Sequence, residues 1–177
     1  MKHLLLAAIA FVSSVTSSHA TVQASDGMTY NGERGFIKEN PISEVLTKRQ
    51  LKFEMISTAN YAGHSADWKI ADNKLLLSKF MGRKDGEDKD LKWLFPDSKG
   101  DVFARWFSGK IHLFLGDIKL RKIHGHVVVT DKIVVFEVKD GLVQKTPVLK
   151  YPENIDIVNE LTSKFLGEEI DIRKIDY

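Results

Sequence analysis

VFARWFSGKIHLFLGDIKLRKIHGHVVVTDKIVVFEVKDGLVQKT, running from Val102 to Thr146, reads as a meander of short strands. Ile111, Leu113 and Leu115 alternate with Lys110, His112 and Phe114; Gly116-Asp117 interrupts; Ile118 and Leu120 then alternate with Lys119 and Arg121. A period of two on both sides of a two-residue break predicts a hairpin. Lys132 to Lys139 is almost continuously β-branched or aromatic, and Asp140-Gly141 supplies the two positive-φ residues of a type I′ turn before Leu142 and Val143 resume. That predicts a second hairpin. Between the two, Val127-Val128-Val129 is apolar on both faces, as in a strand covered from two sides or set in a barrel wall.

Upstream segments extend the same architecture. Met28 to Tyr30, the turn signal Asn31-Gly32, then Gly35 to Ile37 predict an opening hairpin, and Pro41 to Leu46 a short helical turn. Leu51 to Met55 alternates as a strand, and Ser57 to Ser65 reads as a small-residue loop. Ala66, Trp68 and Ile70 followed by Ala71-Asp72-Asn73 and Lys74 to Phe80 predict a compact hairpin. Gly82 to Lys92 is the most polar segment and reads as a solvated hairpin loop; counted from Asp85, its third, fifth and sixth residues are Glu87, Lys89 and Asp90, which fails the calcium-loop pattern. Leu91, Trp93 and Phe95 alternate as a strand into Pro96. After the meander the period changes. Pro152 suits a helix start, Ile155, Val158, Leu161, Phe165 and Leu166 keep three-and-four spacing, and Gly167 suits the stop, so one C-terminal α-helix is expected. The fold class is mainly β, an antiparallel meander forming a barrel or sandwich with that helix beside it.

Residues 1–20 form a different object. Lys2 and His3, the apolar run Leu4 to Val12, and Ser18-His19-Ala20 make a signal peptide cleaved near Ala20, leaving residues 21–177 as a single β-rich domain. The run is too short to span a membrane, and no span is expected in the mature chain. The protein is therefore expected to be exported, periplasmic or secreted. Without Lys2 the chain carries 25 basic and 24 acidic residues, well mixed, so nothing attracts nucleic acid. There is no cysteine. An exported domain of this size without disulfides depends on packing alone.

A series of residues resembles a group of uncharacterised bacterial proteins. It comprises Ser57-Thr58, Gly63, Ala66-Asp67-Trp68-Lys69-Ile70, Asp72 to Leu77, Ala104 to Gly109, His124-Gly125-His126 and Asp140-Gly141. In that group an A-x-W-x-I segment precedes K-L-x-L, and W-F-x-G precedes a glycine-containing strand and a final N/D-G turn. The likeness covers Met28 to Thr146 and implies a β-rich fold; its motifs are structural, and no activity goes with them. Members carry H-x-G-Y where this chain has His124-Gly125-His126, so the second histidine departs from the pattern.

Three chemistries compete for the function. His124 and His126, two apart on a strand, point to one face, and with His112 they are candidate zinc ligands of a metal-dependent hydrolase. Trp68, Arg105 and Trp106 are the candidate ligand-binding residues, because aromatic faces beside a cation line sugar and apolar-ligand grooves; as core packing they would fill the interior instead. Asp67 and Glu54 form a carboxylate pair only if strand register brings them together. No Gly-x-Ser-x-Gly elbow and no phosphate loop is present. The leading expectation is a non-catalytic module that binds a protein partner or small ligand in the cell envelope, inhibitor- or immunity-like proteins included. It needs no cofactor. The alternatives are the hydrolase and a structural envelope accessory domain.

Overall fold

Tight turns with two left-handed residues set the strand boundaries. A computed structural model describes residues 24–121, 128–150, 153–156, 159, 160 and 163. In it β1 (Asp26–Tyr30) and β2 (Glu33–Ile37) pair around Asn31-Gly32, at φ 50° and 81°. β3 (His64–Ala71) and β4 (Lys74–Lys84) join through Asp72-Asn73 at 50° and 57°, and β4 joins β5 (Glu87–Asp90) through Asp85-Gly86 at 54° and 74°. Such loops match the right-handed twist of the strands they connect. The polar segment Gly82 to Lys92 is thus a ladder almost to its tip rather than a solvated loop.

The rest of the chain closes the sheet on itself. α1 (Ser43–Lys48), α2 (Leu91–Leu94) and β6 (Val102–Phe103) precede the two long strands β7 (Gly109–Arg121) and β8 (Val128–Lys139), then β9 (Leu142–Lys145) and β10 (Val148–Lys150). Hydrogen-bonded neighbours run β1-β3-β4-β9-β8-β7-β2 and back to β1, a ring whose β4–β9 link is the pair Lys74↔Leu142. Among the described strands only β1 and β3 pair parallel. The domain is mainly β and dominated by antiparallel pairing, as the sequence predicts. No helix among the described residues is long and apolar enough to cross a membrane.

Alternate side chains point into the ring. Met28, Ile37, Leu75, Leu77 and Phe136 have no exposure, and Trp68 has 1%. Burying one such side chain stabilises by about 1.5–3 kcal/mol. In β4 the alternation is reset once. Asp67 faces Lys79 but Trp68 faces Leu77, leaving Ser78 as an unopposed residue whose Oγ donates to Asp67 O at 2.9 Å. That bulge keeps Phe80 inward and turns Lys79 and Met81 outward.

Three further expectations need correction. Gly116-Asp117 is not a hairpin turn: β7 runs straight through it, with Leu115 opposite Lys132 and Ile118 opposite Thr130, so two residues face one. Gly116, at φ 84°, accommodates a bulge. Leu51 to Met55 alternates yet forms no strand; it lies beside β4 with Glu54 N–H donating to Arg83 O at 2.7 Å. Leu91 to Phe95 is a helical turn, because Asp90 caps it by accepting from Trp93 N–H at 2.8 Å. His124, His126, Val127 and most of the expected C-terminal helix lie outside the described residues, as does the expected signal peptide.

Candidate functional site

Register puts one row of outward-facing residues across four neighbouring strands. Phe36 on β2 faces Gly27 on β1, Gly27 faces Asp67 on β3, and Asp67 faces Lys79 on β4. Outward alternates cannot all be bulky if a groove is to form, and Gly27 supplies the missing side chain. A Cβ built there would collide with Asp67 Oδ1 and lie 2.5 Å from Arg34 Nη2. The Arg34–Asp67 ion pair, at 2.7 Å, therefore lies directly over Gly27.

Around this pair is an open groove of about 600 Å³, lined by Ser25, Gly27, Arg34, Phe36, Ser65, Asp67, Lys79 and Met81 among others. Its size is in the range of ligand sites. The Arg34 side chain is 61% exposed and that of Asp67 26%, so their pair adds at most about 1 kcal/mol to stability. Its main consequence is positional. One arm of the guanidinium fork is used, and Asp67 is neutralised. Lys79 has no hydrogen-bond or ion-pair partner among the described residues, which leaves one positive charge over in the groove.

Behind the floor sits a second carboxylate with the opposite task. Asp26 faces inward at the start of β1, where Oδ1 accepts from Ala66 N–H at 2.9 Å and Oδ2 from Trp68 Nε1–H at 3.0 Å. Burial pushes its carboxyl above the usual carboxylate range, against the two hydrogen bonds, which pull it down. Asp26 thus fixes the floor of the groove from within.

The residues singled out from sequence are scattered. Trp68 is enclosed in the core with its indole N–H satisfied by Asp26, so its ring offers no face to a ligand. Trp106 donates to Pro41 O at 2.8 Å and stacks on Phe95 at 5.5 Å, while Arg49 covers Phe95 at 4.9 Å. Arg105 is exposed and turns to Phe103, 5.2 Å away, so it shares no site with Trp106. His112 is clasped by Glu39, whose Oε2 accepts its backbone N–H at 2.9 Å and whose Oε1 lies 2.7 Å from its Nδ1. Among the described residues no three His, Asp or Glu side chains gather as a metal site. Glu54 and Asp67 do not meet: Glu54 Oε1 accepts from Gly86 N–H at 3.0 Å and steadies the β4–β5 turn.

Sequence reasoning missed Gly27, Arg34 and Lys79. The one local signal was the break in alternation at Glu33-Arg34, where a charged residue stands at an outward position of an otherwise plain hairpin. No family model, no curated protein and no solved structure matches this chain.

Proposed function

We propose that this protein is an exported, non-catalytic binding module of the cell envelope, and that the groove over Gly27 is where it takes a protein partner or small ligand. The observation that carries this reading is the unspent charge of Lys79 beside an ion pair laid over a glycine floor. Ala66, Trp68, Leu75 and Leu77 are buried, so these residues serve the fold and not the groove. The strand ring is a small barrel in this reading. Its outward residues Phe114 and Ile133 are 3% and 1% exposed although they point away from the interior; the three-and-four spacing from Ile155 to Leu166 supports a helix in that segment. The basic start, apolar run and Ser18-His19-Ala20 within residues 1–20 support export.

The chain's freedom from cysteine makes the test direct. Met81→Cys, in the groove, and Gln144→Cys, exposed on β9, each carry a photoreactive label into envelope extract. A discrete adduct from position 81 and none from position 144 is expected. Equal labelling from both, or none from position 81, contradicts the reading.

One observation favours the hydrolase as a second reading. Glu39 engages His112 through Nδ1, as carboxylates do for metal-ligating histidines. About one equivalent of zinc per chain, lost in His124→Ala/His126→Ala, would promote it; zinc-free protein retires it.

A further inference from the structure

The groove is one half of a longer depression. A second cavity of about 510 Å³ lies between β4, Asp90 to Lys92 and Ser98 to Asp101, and Lys79 and Met81 line both. Met81 stands 45% exposed on the ridge between them. A small molecule would fill one such space. Two spaces joined over an exposed Lys-Met ridge fit an extended chain laid across it. With strands about 4.8 Å apart and about 3.3 Å per extended residue, the three spacings from Phe36 to Lys79 take roughly four to five residues.

Charge selects the chain. Asp67 is neutralised by Arg34, Asp101 by Lys69 at 2.5 Å, and Asp90 accepts from the Trp93 N–H at 2.8 Å. Lys92 donates to Ser98 O at 3.0 Å. Of the charged groups along the depression, Lys79 is the one left without a partner among the described residues. Resting on the binding role proposed above, we infer that the groove takes an extended segment of a partner protein. Its acidic side chain sits on Lys79, with the free arm of Arg34 alongside, and an apolar side chain packs on Met81. An acidic residue gains a charge-assisted bond there without displacing Asp67. A basic one meets two cations.

The test is a ¹⁵N amide titration of the purified protein with the capped peptide Gly-Leu-Glu-Leu-Glu-Gly and its Gln and Lys counterparts, on wild type and Lys79→Glu. The Glu peptide is expected to shift the amides of Gly27, Ser65 and Met81, to bind Lys79→Glu at least tenfold more weakly, and to be replaced there by the Lys peptide. Equal shifts from the Glu and Gln peptides overturn the acidic requirement while leaving the groove a binding surface. No shift from any peptide overturns the inference, and label transfer from position 81 then decides the binding role separately.

Discussion

One register-matched row crosses the outer face of the sheet, and its two halves differ. From Leu149 it runs through Ile133, Phe114 and Phe36, and from there through Gly27 and Asp67 to Lys79. The first half is apolar and covered: Phe114 and Ile133 are buried, and Phe36 stacks on Phe114 with ring centroids 5.0 Å apart and planes at 3°. The second half is charged and open. Continuous strand pairing supports both, all antiparallel in the first half and including the parallel β1–β3 pair in the second. The change comes at Gly27, where losing one side chain drops the surface and lets an ion pair replace a packed ring. Burial of large rings contributes several kcal/mol, whereas an exposed ion pair contributes about 1 or less. The first half therefore serves stability, and the second, which adds little to it, is the half proposed for recognition.

Substitutions should separate the halves by size of effect. The largest belongs to Phe114→Ala, expected to destabilise by ~3–5 kcal/mol in urea unfolding, since it opens the covered half; a cost under about 1 kcal/mol would mean that this face is not packed. Asp26→Ala, under the open half, comes next at ~1–3 kcal/mol, because Trp68 Nε1–H and Ala66 N–H lose their acceptor.

Asp26 also gives the pH test. Its carboxyl is raised in the folded state, so the stability it contributes is fully present below the unfolded carboxylate range and is lost as pH rises through the folded value. The urea-midpoint gap between wild type and Asp26→Asn should accordingly narrow as pH rises from about 4. A gap that widens contradicts the buried placement. Asp67→Asn should cost under about 1 kcal/mol. Lys79→Glu should change stability by no more than about 0.5 kcal/mol, measured in the same way.

How much of this was legible in the sequence depended on whether its cause was local. Asn31-Gly32 and Asp140-Gly141 declared their turns, because both residues of each pair must tolerate positive φ. Gly116-Asp117 has the same composition in the reverse order and became a bulge; the partner strand decides whether a left-handed glycine turns the chain or only kinks it. Leu91, Trp93 and Phe95 alternate like a strand, but Asp90 in front of them is a helix cap, and that local bond won. Trp68 was visible as a large ring, yet only its bond to Asp26 shows it facing inward. The groove left only the break in alternation at Glu33-Arg34. Gly27, Phe36, Asp67 and Lys79 come from four strands, and Lys79 faces outward only because Ser78 bulges.

The most direct measurement is the label-transfer yield from Met81→Cys with and without Lys79→Glu, read beside the melting temperature of each protein. The predicted result is an adduct lost in the double variant at an unchanged melting temperature. An adduct that persists, or one lost only together with the fold, would contradict a recognition surface built apart from the packed half.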